Sequence, residues 1–394
     1  MPQNYKFYIL IKFGLFCDNI IAMKVLIVGA GASGLTAAIS HKRNHPKDAV
    51  LVIEHLSEPL KKLLATGNGR CNLGNSKLDL AKYSHPEFVK DILKEYDYEQ
   101  FFDSISVKTK LIDELAYPVS ETAVSVRNAL LKECEKLGIR INCNEELVDY
   151  KVDKLINVRT NKNTYEVGRL YLATSLCSGK NLGSDGSIIP ILKKHNYIFI
   201  DPLPGLCPLI TKEDNRIIDG IRNKSTVYLY QNNQKIFEEN GEVLFRKNGL
   251  SGIVIFNASR LIAQSRNKPT KIVLDLLPSY SLEEIENYCN LHGFDGFLQG
   301  FLNPKIIHYL LTRFGGTPEL IKIVKNLEFN FLELSGFDFS QVSVGGVDIS
   351  EVNSSLESKK EKGVYFLGEL LDIDGPCGGY NLTFAFASAL KATK

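Results

Sequence analysis

The sequence predicts an α/β protein: a Rossmann-type dinucleotide-binding domain with a three-stranded meander, interrupted by a segment of β and then α character. Three observations predict it. A strand runs through a G-x-G-x-x-G turn into a helix over residues 25–41. Three β-type segments with short polar turns occupy 146–173. A buried strand and helix return near the C-terminal end, over 364–391.

The first segment is the most informative. Met23, Lys24 and the apolar run Val25–Val28 form a short buried strand, and Gly29, Gly31 and Gly34 follow at fingerprint spacing. The first glycine permits the tight turn. The second lets backbone approach a pyrophosphate, and the third lets the helix pack close to the strand. The helix from Ala32 to about His41 points its N-terminal N–H groups and the positive end of its dipole at the phosphates. Ala49–Ile53 reads as the second strand and ends at Glu54, 25 residues past Gly29. A carboxylate there accepts hydrogen bonds from an adenosine ribose. These residues specify a dinucleotide and leave NAD and FAD both open.

A second glycine-rich loop, Leu60–Asn75, has Gly67, Gly69 and Arg70 at its centre. Phe88–Phe102 reads as one helix, from apolar positions three and four apart. Ser120–Leu137 reads as another, with Ser120 as N-cap and Gly138 as the C′ stop. Ile139–Asn142 follows as a parallel strand. The meander strands are Glu146–Val152, Leu155–Thr160 and Thr164–Ala173, with turn residues at Asp153-Lys154 and Asn161-Lys-Asn163. A meander in this position resembles the glutathione-reductase-like FAD domain rather than a simple NAD dehydrogenase.

From about Asp201 the character changes. Leu206–Ile210, Thr226–Tyr230, Lys235–Glu238 and Glu242–Phe245 predict a small barrel or sandwich. Three helical segments follow. Ser281-Leu-Glu-Glu284 is a capping box, and Asn303-Pro304 and Thr317-Pro318 each pair an N-cap with proline at the first helical position. Val364–Leu367 and Leu382–Lys391 then read as a buried strand and helix. The expected division is a discontinuous binding domain, 23–189 with 340–394, around an insert, 190–339. Within the insert the barrel spans about 195–275 and the helices about 279–330.

Composition excludes several classes. Hydrophobic residues are 44% and charged residues 23% of 394, as in globular proteins. A net charge of +2 gives no electrostatic case for nucleic acid or membrane binding. None of the eight cysteines forms a C-x-x-C pair, and no His/Cys group has zinc spacing, so neither a metal nor a redox disulfide is expected. Reduced thiols fit a cytoplasmic protein. The apolar run Tyr8–Phe16 is broken by Lys12 and is too short for a membrane span. Met23, directly before the first strand, is the expected native start, with 1–22 an extension.

The C-terminal segment carries the second strong pattern. An apolar strand ends in Gly368-Glu369, an acidic glycine-rich loop follows, and Gly378-Gly379 opens a helix through Asn381. In an FAD protein, Glu369 or Asp372 can bind ribitol hydroxyls. The helix N-terminus can face the N1/O2 edge of the isoalloxazine, where reduction leaves negative charge.

Residues 23–394 resemble the bacterial FAD-dependent oxidoreductases that include aminoacetone oxidases and bile-acid flavin reductases. The matching stretches are Val28-Gly-Ala-Gly-Ala-Ser-Gly34, Thr66-Gly-Asn-Gly-Arg-Cys-Asn72, Gly249-Leu-Ser-Gly252, Val344-Gly-Gly-Val347, Glu357-Ser-Lys359, and Gly368-Glu-Leu-Leu-Asp372 running to Gly379-Tyr-Asn-Leu382. The resemblance implies a glutathione-reductase-like FAD domain with an inserted β-barrel and small helical domain. It implies FAD contacts at Gly29, Gly31, Gly34, Glu54, Arg70, Cys71, Asn72, Glu369, Asp372, Gly379, Tyr380 and Asn381. The expected cofactor-binding set adds Ala32, Ser33, Gly69, Val148, Thr174, Gly368 and Leu382.

The departures bear on substrate. The family's Ala-Thr-Gly-Gly is Ala173-Thr-Ser-Leu176 here, so the backbone must take a different path. Its Gly-Arg-Val-Phe-Pro becomes Glu114-Leu-Ala-Tyr-Pro118, and its Phe-Thr-His becomes Phe245-Arg-Lys247. Flavin N5 carries the hydride chemistry, and Tyr117 and Tyr380 are candidates for an assisting acid or base by position alone. No second fingerprint follows a strand in 190–394, so NAD(P)H is expected only as a transient donor. The expected function is hydride transfer between flavin N5 and NAD(P)H or a small organic substrate. The alternatives are a flavoprotein of RNA modification and a catalytically impaired nucleotide-binding scaffold. Oligomeric state is left open.

Overall fold

The computed structural model describes residues 23–266, 269 and 271–394. The expected extension, 1–22, lies outside the described residues. A five-stranded parallel sheet forms the first core, in the order Val364–Phe366, Arg169–Leu172, Lys24–Val28, Ala49–Glu54 and Arg140–Cys143. Four of its strands are largely apolar runs because both faces are covered, whereas the edge strand Arg140–Cys143 is polar and only partly buried. Val25, Leu26, Ile27, Leu170 and Phe366 are all buried. The fingerprint helix Ala32–Asn44 packs against Ala123–Lys136 and against the C-terminal helix Tyr380–Ala392.

The meander is a separate antiparallel sheet of Leu147–Val152, Ile156–Thr160 and Thr164–Val167. The expected third strand, Thr164–Ala173, is two strands. It breaks at Gly168, where a Cβ would lie 2.7 Å from Met23 Cγ, and Arg169–Leu172 enters the parallel sheet. The change of pattern marks the break: Thr164–Val167 alternates, whereas Leu170, Tyr171 and Leu172 are buried without a gap.

Other elements differ from expectation for local reasons. Phe88–Phe102 is two helices, Pro86–Leu93 and Tyr98–Ser104, because the Asp97 side chain accepts from Gln100 N at 3.0 Å and starts a new helix. Ser120 is not a cap. The helix begins after Thr122, whose hydroxyl accepts from Val124 N, and Glu121 at φ 49° turns the chain first. Lys235–Glu238 and Glu242–Phe245 belong to one strand, Gln234–Arg246, which pairs with Arg222–Gln231 across Asn232 and Asn233, both with positive φ. Two asparagines at such positions suit a hairpin turn. The Ser281–Glu284 capping box has both of its bonds, and Asn303 caps the helix Pro304–Phe314. Thr317 caps nothing: Glu319 precedes the helix Leu320–Lys325 without a side-chain bond.

The middle of the chain folds as a seven-stranded antiparallel sheet whose edge strands are Leu327–Phe329 and Phe331–Leu334. Only Asn330 separates these edges, so the sheet must curl into a barrel. Val227, Leu229, Phe245, Leu250 and Phe329 fill a second hydrophobic cluster, distinct from the first. The chain passes between the clusters along an antiparallel ribbon of Phe199–Gly205 and Val342–Val347. Among the described residues no helix is long and apolar enough to cross a membrane.

Two predictions follow from this packing. A Cβ on Gly34 would lie 1.9 Å from the Gly29 carbonyl oxygen. G34A should therefore cost about 3 kcal/mol of stability, read by denaturant unfolding. His41 is fully buried, with Nδ1 3.2 Å from the Tyr171 hydroxyl and Nε2 3.0 Å from Asp48. Burial holds its pKa below the usual value despite the hydrogen bond to Asp48. The unfolded chain then binds the proton first, so this residue's contribution is present above pH ~6.5 and is lost as pH falls below it, at up to about 1.4 kcal/mol per pH unit. His55 and His85, raised by Glu54 and Asp372, act in the opposite direction. The check is the difference in acid slope between wild type and H41N.

Candidate functional site

Three glycines in the fingerprint have three different surroundings. Gly29 has φ 101°, and its Cβ would lie 2.7 Å from the Ala173 carbonyl oxygen. Gly34 is held against Gly29 as described above. Gly31 has φ −82° and extended ψ, which any residue adopts, and a Cβ there would meet nothing within 4 Å. Only Gly31 is thus without a packing reason. It stands at the N-cap of the helix Ala32–Asn44 and supplies no capping side chain, so the N-terminal turn with Ala32 and Ser33 is left for an external acceptor.

At the first fingerprint glycine lies an open cleft, lined by Gly29, His55, Glu146, Leu147, Thr174 and Ile191 among others. The Thr174 hydroxyl is buried there without a hydrogen-bond partner. Glu54 ends its strand at the same place. Its Oε2 accepts from Ala30 N at 2.8 Å, its Oε1 from Leu56 N at 2.9 Å, and His55 Nδ1 is 3.1 Å away. Burial opposes ionisation, but His55 and the two N–H groups outweigh it and hold the carboxyl below the usual glutamate range. An open glycine edge, an uncapped helix, an orphaned hydroxyl and an ionised acid fit a dinucleotide. Val148 is exposed at a strand irregularity beside Leu147, so its side chain stands outside this lining.

The second glycine loop is built from left-handed residues: Gly67, Asn68, Gly69 and Cys71 all have positive φ. Arg70 stacks over the Tyr117 ring at 4.8 Å and reaches Glu121 at 3.7 Å. Tyr117 is buried beneath it. Cys71 is fully buried, which pushes its thiol up to about 12 and keeps it protonated. Asn72 Oδ1 accepts from Gly74 N at 3.3 Å.

In the C-terminal segment several expected cofactor residues have work within the protein. Gly379 has φ 89°, and a Cβ there would lie 2.6 Å from the Gly74 carbonyl oxygen. Asn381 closes the loop before it, with Oδ1 accepting from Gly375 N and Nδ2 donating to Gly375 O, both at 2.8 Å. The buried Tyr380 hydroxyl accepts from Asp79 N, and Asp372 lies 3.4 Å from His85 Nε2. Gly368, at φ 60°, packs on Ser33, and Leu382 is half-buried in the first turn of the C-terminal helix. Leu176, where the family pattern has glycine, is wholly buried in the first core.

Sequence reasoning missed two groups. Glu369 accepts from Lys62 Nζ at 2.5 Å, from Ser343 N at 2.7 Å and from the Ser178 hydroxyl. Lys62 and Glu369 are 307 residues apart, and no local pattern links them. The second group joins the middle segment to the C-terminal loop. Arg260 Nε donates to Asp374 Oδ1, and Arg260 Nη2 donates to Asp374 O at 2.8 Å. Gln264 Nε2 donates to the same carboxylate at 2.9 Å, and Asn257 Oδ1 accepts from Cys377 N at 2.9 Å. These three residues lie on the helix Ile253–Ser265, at i, i+3 and i+7, and so share one face.

The family described as HI0933-like protein Rossmann domain matches residues 23–394. The chain is 32% identical over 399 residues to a 3-dehydro-bile acid delta(4,6)-reductase of Clostridium scindens, covering 94% of this chain and 98% of that one. It is 27% identical to the ribosomal RNA dihydrouridine synthase of Escherichia coli, over 92% of this chain and 95% of the relative. In fold it resembles the 3-ketosteroid delta1-dehydrogenase of Sterolibacterium denitrificans, with a TM-score of 0.52 at 9% identity over 94% of this chain and 98% of that one.

The contrast within the fingerprint gives a prediction. G31A should leave unfolding stability within about 0.5 kcal/mol of wild type. It should weaken FAD binding by roughly tenfold or more, about 1.4 kcal/mol, read by fluorescence titration of the flavin.

Proposed function

The chain belongs to the HI0933-like Rossmann family, and from that premise we propose an FAD-dependent oxidoreductase that moves hydride between flavin N5 and a small organic substrate or NAD(P)H. The observation that carries this reading is Gly31, the one fingerprint glycine that packing does not require, two residues from Gly29, which shares a cleft with the unpaired Thr174 hydroxyl. Gly29–Gly34, Thr174 and Glu54 would hold the pyrophosphate and adenosine end of FAD. The 368–382 stretch, ending at the uncapped helix Tyr380–Ala392, would stand beside the flavin. FAD itself supplies the two-electron chemistry, and the chain supplies orientation and electrostatics.

The relatives' names narrow the substrate class. Both denote reduction of a carbon–carbon double bond conjugated with a carbonyl, one in a steroid nucleus and one in a pyrimidine. We therefore infer a small conjugated enone as hydride acceptor. A base within ribosomal RNA is the second reading, favoured by the relatives named for that reaction and opposed by the net charge of +2.

The purified protein reconstituted with FAD should show a flavin spectrum that bleaches anaerobically with NADH, NADPH or dithionite and returns on adding an enone. Protein that takes up no flavin overturns the reading. Recovery of the spectrum with RNA but with no enone, together with salt-sensitive RNA retention, selects the second reading.

A further inference from the structure

Leu60 and Gly368 bring two distant segments against the fingerprint turn. Leu60 N donates to Ala30 O at 3.0 Å, and Leu60 itself sits at φ 63°, a conformation that a leucine adopts only where its surroundings impose it. Gly368 packs on Ser33, in the first turn of the helix Ala32–Asn44, where a Cβ would lie 3.1 Å from Ser33 Oγ. Lys62 follows Leu60 by two residues, and Glu369 follows Gly368 directly. Their side chains meet, with Lys62 Nζ donating to Glu369 Oε2 at 2.5 Å. The contacts Ala30–Leu60, Lys62–Glu369 and Gly368–Ser33 thus close a ring on the turn that presents Gly31.

The pair is held from two further segments. Glu369 Oε1 accepts from Ser343 N at 2.7 Å and from the Ser178 hydroxyl, whose oxygen accepts from Lys62 Nζ at 2.6 Å. Ser343 Oγ in turn accepts from Cys177 N at 3.1 Å and Ser178 N at 3.0 Å. The Lys62 and Glu369 side chains are 28% and 20% exposed, so a ligand can reach both. Charge then decides what the pair does there. Glu54 already places one carboxylate at the turn, on Ala30 N. The diphosphate of FAD brings two more negative charges. An uncompensated Glu369 would repel it, whereas Glu369 paired with Lys62 is neutral as a unit.

We propose that Lys62 is the counter-ion that makes Glu369 compatible with a dianionic dinucleotide, and so is a positioning residue for FAD. The inference rests on the FAD reading above. Lys62 acts through Glu369: it fixes the direction of the carboxylate and cancels its charge beside the fingerprint. Its contribution is to cofactor affinity, not to the hydride step. Removing the lysine alone leaves a carboxylate held only by Ser343 N and Ser178. Removing both charges leaves a site that is again neutral.

The test is a double-mutant cycle on the full chain, read as the FAD dissociation constant by fluorescence titration, with denaturant unfolding of each variant alongside. K62M should bind FAD roughly tenfold more weakly than wild type at low salt, and that loss should shrink at about 0.5 M salt. K62M/E369Q should return to within about threefold of wild type, a rescue that a lysine serving only to prop its loop would not give. E369Q alone keeps the cation and should bind FAD at least as tightly as wild type. This arm tests the proposal even where K62M does not fold. Equal binding by K62M and wild type, no rescue in the double variant, or weaker binding by E369Q overturns the proposal alone. Wild-type protein that takes up no flavin overturns the FAD reading and this proposal with it.

Discussion

The site depends on how tightly two backbone residues, Gly29 and Ala30, are wedged between three elements. Gly29 N donates to Ile53 O at 2.8 Å, tying the turn to the second strand. Ala30 N donates to the Glu54 carboxylate just beyond. Ala173 presses on Gly29 from the neighbouring parallel strand, and Gly34 of the helix presses from the other side. The helix direction, the order of the central strands and the place of the acid are therefore set together. Glu54 is part of this wedge. A buried carboxylate is costly without donors, and two backbone N–H groups and His55 provide them. The turn and the acid stabilise one another.

This shared constraint divides residues that a motif lumps together. Gly29 and Gly34 are required by backbone packing, whereas Gly31 is left open by it. The C-terminal loop divides in the same way. Gly379 is required by the approach of Gly74, Asn381 ties off its own loop, and the Tyr380 hydroxyl is engaged by Asp79 N. A motif at a cofactor site therefore mixes residues that shape the loop with residues that meet a ligand, and only geometry separates them.

Much of the fold was legible because the signals were local. The capping box at Ser281–Glu284, the Asn303 cap and the apolar strand Val25–Val28 each depend on a few adjacent residues, and each forms. Errors arose where a boundary depended on a partner elsewhere. Gly168 ends one sheet and begins another because Met23 and Lys24 sit beside it, which no window around 168 reveals. The split of Gln234–Arg246 into two expected strands came from its central polar run, Glu238-Glu-Asn240, which pairs regularly with Thr226–Tyr228. At the site, the glycines and Glu54 could be read from spacing. Lys62 with Glu369, and Glu239 with Asn257 and Cys377, could not, because their members are brought together only by the folded chain.

The junction between the two hydrophobic clusters shows the consequence. Its central contacts are polar: a buried pair of Arg260 with Asp374, and partly buried bonds from Gln264 to the same carboxylate and from Asn257 to Glu239 and Cys377 N. A buried ion pair is weak evidence for stability, since desolvation offsets much of its attraction. Asp374 Oδ2 is buried with no hydrogen-bond partner, which adds to that cost. Apolar side chains of similar volume could join the two cores at least as firmly, but they would allow the helix Ile253–Ser265 to slide. Directional bonds to Asp374 O, Asp374 Oδ1 and Cys377 N fix the register of that helix on the loop. The junction therefore defines position more than it adds stability, holding the helix of the barrel in one register against the C-terminal loop.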